Sequence, residues 1–303
     1  MLQWVSRIGT ESKSMTIERY FAPQTLDEAA AILSQGGATI LAGGTDLMPQ
    51  SQSGKVKFQG TLLNIRRIAE LRGIGIVDGA IRIGALATVT ELLTDPLVLD
   101  RIPVLAEAAD HFASDQLRNV ATLGGNICNA SPAGDMLIPL LVLDAEVELA
   151  SKPNGAMTRR RMPLRDFFVG PGRTRREPQE LVAAVWMPLP RAGFTARFFK
   201  FGTRPALDIS TISIGIGGVR ESAGFTGVRV AFGAVASTPV RAPNTEAVLE
   251  GKPLDEAAID AAAYAAREEV TPISDVRASA WYRKELVHNM TRRMLEDVAA
   301  SGN

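Results

Sequence analysis

The chain has one cysteine, Cys128, and two histidines, His111 and His288, in 303 residues. One cysteine closes no disulfide within the chain, and it cannot supply the roughly four ligands of an iron–sulfur cluster or a structural zinc. The histidines fall in separate expected helices, so a metal pair or a Ser-His-Asp relay has no support, and both are read as structural. Charge of one sign is not in excess: 33 Lys and Arg face 33 Asp and Glu, and no global field draws the chain to nucleic acid or an anionic membrane. No run reaches the about 18 apolar residues of a membrane span, and residues 1–14 lack the apolar core of a secretory signal. A cytoplasmic protein is expected.

What is present is an ordinary globular composition, 46% hydrophobic and 22% charged, over a length sufficient for two or three domains. Patterned sequence begins at Met15, so residues 1–14 are set aside as an extension. Thr25-Leu-Asp-Glu28 is a capping box opening a helix that Gly36 and Gly37 stop, and Ala38-Thr-Ile-Leu41 and Thr61-Leu-Leu-Asn-Ile65 are short apolar strands. Ile74–Val77 and Ala80–Ile83 flank Asp78-Gly79, a strong hairpin signal. Thr88-Val-Thr-Glu91 caps a further helix, and Pro103 to Ala113 has helical spacing. Val120 opens a long Gly/Asn/Ser/Pro loop that ends near Asp135. A helix-like run, Met136 to Leu143, a strand, Ala145 to Ala150, and a basic triplet, Arg159-Arg-Arg161, follow; the triplet reads as solvated surface. A strand, Leu181 to Met187, ends in Pro-Leu-Pro, and a domain boundary is placed between Pro188 and Gly193. Beyond it a meander, Ile209 to Val219 and Val228 to Val235, and two amphipathic helices, Ala257 to Glu268 and Ala280 to Val298, describe an α+β unit.

Two stretches have the composition of an anion cradle. Ala42-Gly43-Gly44-Thr45-Asp46 follows a buried strand, and its adjacent glycines let main-chain N–H groups face an anion with no Cβ in the way. Thr122-Leu123-Gly124-Gly125-Asn126 repeats the Gly-Gly pair between hydrogen-bonding side chains. Taken singly each is equally a tight turn; together they meet the needs of a diphosphate without lysines. Neither matches GxGxxG, and no GxxxxGK followed by Ser or Thr occurs. Asp135, past the Ser131-Pro132 turn, is placed either to accept from a ribose hydroxyl or to cap the next helix.

Jointly these motifs resemble the FAD-binding medium subunit of the molybdenum hydroxylases, the family of xanthine dehydrogenase and carbon monoxide dehydrogenase. The resemblance runs from about Met15 to Val298 and is carried by Ile40-Leu-Ala-Gly-Gly-Thr-Asp-Leu47, Thr122-Leu-Gly-Gly-Asn126 with Ser131-Pro-Ala-Gly-Asp135, Phe167-Phe-Val-Gly170, Gly233-Ala-Val-Ala236 and Ala278-Ser-Ala-Trp-Tyr-Arg283. It implies an α+β fold: a two-part FAD-binding region of the vanillyl-alcohol oxidase and para-cresol methylhydroxylase type, then a CO dehydrogenase flavoprotein C-terminal-like domain. The corresponding divisions are 15–72, 73–190 and 191–303. It also implies that Ala42, Gly43, Gly44, Thr45 and Asp46, with Thr122, Leu123, Gly124, Gly125 and Asn126, embrace the FAD diphosphate. Asp135 is the carboxylate after the Ser-Pro turn, and Phe112, Val182 and Lys200 match further FAD-touching positions of xanthine dehydrogenase.

Departures narrow the resemblance. Phe198-Phe199-Lys200 stands where some relatives shield the flavin with a Tyr. No histidine lies in either Gly loop, so non-covalent FAD is expected. The branches with an additional four-iron cluster in this subunit are excluded by the single cysteine. The implied function is the FAD subunit of a heterotrimer, in which a large molybdenum-cofactor subunit oxidises substrate, a small 2Fe–2S subunit relays electrons, and the flavin passes them to NAD⁺ or another acceptor. A dimer of heterotrimers is the family expectation, and no residue of this chain is expected to be catalytic toward the organic substrate or to bind metal. The competing reading is a free-standing FAD-dependent oxidoreductase with its own pocket in the C-terminal domain.

Overall fold

The computed structural model of the chain describes residues 17–204 and 207–300; the expected extension at residues 1–14 lies outside them. Three larger sheets and a two-stranded one, Phe168–Gly170 with Arg173–Thr174, organise the described residues, and the strand Leu181–Pro188 packs against the cores of two of the larger regions. Its first seven residues are all buried. Leu181 and Ala183 pack toward the first region with Leu26, Leu33 and Leu63, whereas Val182, Val185 and Met187 pack into the helical core around Leu105 and Ile138. One apolar run therefore serves two cores, which accounts for its lack of hydrophobic alternation.

The first region is a three-stranded parallel sheet in the order Arg19–Phe21, Thr61–Asn64, Ala38–Leu41. Its helix Leu26–Ser34 buries Leu26, Ala29, Ala30 and Leu33, the i, i+3, i+4, i+7 face. Thr25 Oγ1 accepts the Glu28 N–H at 3.2 Å, while the Glu28 carboxylate reaches the Gln24 N–H at 3.0 Å rather than that of Thr25.

The second region is a five-stranded antiparallel sheet in the order Ile74–Val77, Ala80–Gly84, Leu181–Pro188, Glu146–Ser151, Thr158–Pro163. Asp78 and Gly79 both have positive φ, 51° and 76°, as a two-residue hairpin turn with right-handed strand twist requires. Thr88 forms the complete reciprocal capping box with Glu91. The basic triplet lies on the exposed surface, as expected, and its guanidinium groups are also paired. Arg159 donates to Glu148 at 2.6 Å, Arg160 grips Glu180 through two bonds of 2.6 and 2.8 Å, and the Arg161 guanidinium lies 3.5 Å from the Trp186 ring centroid. Trp186 Nε1–H also donates to Glu148. Glu148 and Glu180 are buried, and the period of two along Thr158–Pro163 sends Arg159 and Arg161 to one carboxylate and Arg160 to the other.

The third region is a four-stranded antiparallel sheet, Phe194–Phe201, Ile212–Glu221, Gly224–Gly233 and Val240–Arg241, with helices Pro243–Leu249, Glu256–Glu269 and Ala280–Ala300 against one face. The other face receives helix Leu137–Val142. A Cβ at Gly215 would stand 2.8 Å from Val142 Cγ2, so the small residues of Ile212–Glu221 admit that helix. Two expectations are corrected here. The meander strand begins at Ile212 rather than Ile209, and Phe194–Phe201, for which the sequence reading names no element, is a full strand. Phe198 packs toward the helical core and Phe199 and Phe201 toward the C-terminal one, so its apolar residues show no single buried face.

Three of the motifs that carried the resemblance, Ser131–Asp135, Gly233–Ala236 and Ala278–Arg283, are joined by hydrogen bonds. The Ala234 N–H donates to the Pro132 carbonyl at 2.8 Å, and Arg283 Nη1 donates to the Ala234 carbonyl at 3.0 Å. Arg283 Nη2 in turn reaches Asp275 at 2.8 Å. Segments remote in sequence thus form one chain of contacts from the second region into the third.

Candidate functional site

The two Gly-Gly motifs lie side by side. A Cβ at Gly43 would stand 2.2 Å from the Val120 carbonyl oxygen, and one at Gly124 would stand 2.7 Å from Ala85 Cβ and 2.8 Å from the Ala85 carbonyl oxygen. These two glycines are required by backbone-to-backbone packing. Gly44 has φ +78°, which an L side chain adopts only with strain. The two motifs and the strand end of Ala38–Leu41 enclose a groove of about 390 Å³.

The motifs are chemically unlike. Thr122 is the N-cap of a helix, Leu123–Asn129, where the sequence pattern suggested an open loop. Its Oγ1 accepts the Gly125 N–H, and its carbonyl accepts that of Asn126. The Leu123 and Gly124 N–H groups go to the carbonyls of Ala87 and Ala85. The expectation that both motifs present free main-chain donors therefore fails for the second, because the helix and its neighbouring loop consume them. In the first motif the N–H groups of Gly43, Gly44, Thr45 and Asp46 have no protein acceptor among the described residues. The second motif instead brings a side chain: Asn126 is 8% exposed, lines the groove, and its Oδ1 has no hydrogen-bond partner among the described residues. A buried amide oxygen of this kind costs about 1–3 kcal/mol until something donates to it.

Of the expected site residues, Ala42–Asp46, Phe112, Thr122, Gly124, Gly125, Asn126 and Val182 line this one groove. Leu123 is fully buried and packs in the helical core instead. Asp135 and Lys200 form a buried ion pair that does not line the groove. Lys200 Nζ donates to Asp135 Oδ2 at 2.7 Å and to the His111 carbonyl at 3.2 Å, and Ser210 Oγ–H donates to Asp135 Oδ1 at 2.7 Å. The alternative role for Asp135 as a helix cap is not realised: Met136 is the N-cap of Leu137–Val142, and no side chain caps it. Burial raises the Asp135 pKa, opposed by Lys200, Ser210 and His111. Phe198 is buried and stands beside His111, ring centroids 6.3 Å apart.

Sequence reasoning missed Gln50, Cys128, Asn129 and Arg176 on the groove wall. Gln50 Nε2 donates to Asn129 Oδ1 at 2.8 Å, linking the helix Leu47–Gln52 that follows the first glycine motif to the helix that contains the second. Cys128 is exposed and opens on the groove. Cys128 and Asn129 had a signal, since they continue the helix that Thr122 caps. Arg176 had none, because it sits in an irregular segment and is aimed by the carbonyls of Glu177, Pro178 and Glu180. Asp46 also lines the groove; burial raises its pKa and Lys55 lowers it.

A two-part region with paired glycine motifs, followed by an α+β unit joined to it through Asp135 and Lys200, defines a flavin-binding class of protein. Residues 13–190 match the family model described as FAD binding domain in molybdopterin dehydrogenase, and residues 197–298 match the CO dehydrogenase flavoprotein C-terminal domain. The chain belongs to the FAD-binding subunits of the molybdenum hydroxylase family, the oxidoreductases that include xanthine and carbon monoxide dehydrogenases. It is 37% identical to the xanthine dehydrogenase FAD-binding subunit of Escherichia coli O157:H7, over 93% of this chain and 97% of that one. It is 33% identical to the carbon monoxide dehydrogenase medium chain of Hydrogenophaga pseudoflava, over 91% and 95%. Among solved structures, a carbon monoxide dehydrogenase chain from Hydrogenophaga pseudoflava superposes with a TM-score of 0.86 at 34% identity, covering 91% of this chain and 94% of that one. Quinoline 2-oxidoreductase from Pseudomonas putida 86 gives 0.85 at 28%, covering 93% and 97%.

Proposed function

We propose that this chain holds one FAD non-covalently in the glycine groove and joins a one-electron donor to a two-electron acceptor. The observation that carries the reading is the pairing, in one groove, of unused N–H donors at Gly43–Asp46 with the unpartnered Asn126 amide. Bare main-chain donors suit diphosphate oxygens, and an amide oxygen without a donor suits a hydroxyl or ring N–H of the same molecule. Bound FAD supplies the chemistry, accepting electrons singly or in pairs. The protein residues do the rest. Gly43–Asp46 and Asn126 bind and orient, with Thr122, Gly124 and Gly125 shaping the wall and Phe112 and Val182 supplying apolar contact. Asp135 and Lys200 fasten the C-terminal unit beside the groove. Leu123 contributes from behind, by packing.

The units 15–72, 73–190 and 191–303 are read as two FAD-binding parts and a covering domain. The reading extends to partners: a large molybdenum-cofactor subunit that oxidises the organic substrate and a small 2Fe–2S subunit that brings its electrons, with NAD⁺ or another carrier as acceptor. The assembly is taken to be a dimer of such heterotrimers in the cytoplasm. No helix of the described residues is long and apolar enough to cross a membrane. The isolated chain is expected to bind FAD at one per chain, to release it intact on acid denaturation, and to hydroxylate nothing. Substrate turnover by the pure chain would establish the free-standing oxidoreductase instead.

A further inference from the structure

A second cavity, of about 620 Å³, shares no lining residue with the glycine groove. It lies where the third region meets the second. Ile102, Pro103 and Val104, at the junction of helices Pro96–Arg101 and Pro103–Asp110, form one side. Strand Phe194–Phe201 and Val298, near the end of helix Ala280–Ala300, form the other. Its volume falls within the about 300–1,000 Å³ of small-molecule sites.

The lining is two-sided in character. Ile102, Val104, Leu143 and Phe194 give an apolar floor, while Arg101, Arg197 and Arg220 bring three guanidinium groups against one lining carboxylate, Glu221. Arg197 is held by Glu107 at 3.1 Å. Among the described residues, Arg101 pairs with the exposed Asp100, a contact of little strength in water. Arg220 Nη1 donates to the Val298 carbonyl at 3.1 Å, a neutral acceptor, so that contact leaves its charge uncompensated. Such forks match carboxylate, sulfonate and phosphate groups.

We propose that this cavity is a second ligand site, taking an organic anion whose apolar body lies on Ile102, Val104, Leu143 and Phe194 and whose head meets Arg101 and Arg220. Such a site follows from the cavity's shape and charge, independently of bound flavin. Because the ligand touches both sides of the junction, its binding stabilises their association by mass action.

The test uses the full chain loaded with FAD and the probe 8-anilinonaphthalene-1-sulfonate, an aromatic body with one anionic head. The proposal expects saturable binding of one probe per chain, displaced by dodecanoate but not by dodecylammonium. Arg101→Ala weakens binding about fivefold, the order of one exposed charge-assisted contact. Ala196→Trp fills the cavity and abolishes binding. Flavin absorbance stays unchanged in both, and the probe raises the unfolding midpoint of the parent chain but not of Ala196→Trp. Binding indifferent to Ala196→Trp overturns the location, and binding indifferent to both Arg101→Ala and head-group charge overturns the anion class. A tenfold gain in probe affinity on deleting residues 301–303 would show that the chain's own end is the occupant, and overturn the ligand site.

Discussion

Lys200 reaches across from the C-terminal sheet to Asp135 at 2.7 Å, with side-chain exposures of 8% and 10%, and the pair is a buried link between the glycine-motif region and the C-terminal unit. Removing one member of such a pair leaves the other charge in a poorly solvated place. Lys200→Met is therefore expected to cost about 3–5 kcal/mol and Asp135→Asn a comparable amount, whereas the double variant recovers a substantial part. Urea unfolding of the four proteins checks this. Additive losses would mean that the two side chains act independently.

Asn126→Ala removes an amide oxygen that no protein group satisfies, so the apoprotein should lose little stability or even gain some. FAD affinity should fall about tenfold, the size of one hydrogen bond in a buried site. Flavin fluorescence titration, with circular dichroism as the fold control, reads both effects. Unchanged affinity would remove Asn126 from the site.

The glycines separate into two kinds. Gly43→Ala drives a Cβ into the Val120 carbonyl, so it is expected to destabilise the chain whether or not flavin is present. Gly44→Ala meets no backbone but sits at φ +78°, with a strain cost of about 1–2 kcal/mol. Thermal unfolding with and without FAD ranks them, Gly43→Ala being the more severe in both conditions.

Asp275 is held below the ordinary carboxylate pKa, first by the Arg277 backbone N–H, then by that of Ala278 and by Arg283. A carboxyl lowered on folding contributes stability above its unfolded pKa and loses it as pH falls through the folded value. Asp275→Asn should cost about 1 kcal/mol at pH 7, discounted for its exposure to solvent. The gap to the parent should close as pH drops below 3.8, the unperturbed value. Unfolding measured at neutral and acid pH distinguishes this from a pH-independent packing loss.

Local signals in the sequence were sufficient for the elements whose chemistry is local. Thr25, Thr88 and the Asp78-Gly79 turn each specify their own backbone geometry within four residues. The glycine motifs were legible as a pair, and the structure puts both on one groove. What stayed hidden was long-range bookkeeping. That Thr122–Asn126 spends its N–H groups on Ala85, Ala87 and its own cap depends on where the Ala85–Ala87 segment passes. That Arg159–Arg161 are paired depends on Glu148 from a neighbouring strand and on Glu180 just before the strand Leu181–Pro188, and that Arg176 faces the groove depends on carbonyls of an irregular turn. Phe194–Phe201 escaped because its two faces enter different cores.

This chain is proposed to be the flavin-holding converter of a larger molybdenum enzyme. Affinity purification of the chain from its native host, with identification of the proteins that accompany it and metal and flavin analysis of the same sample, tests it most directly. The account predicts FAD together with a large molybdenum-containing subunit and a small cysteine-rich iron–sulfur subunit. Recovery of the chain alone with FAD, active on a substrate of its own, would contradict it.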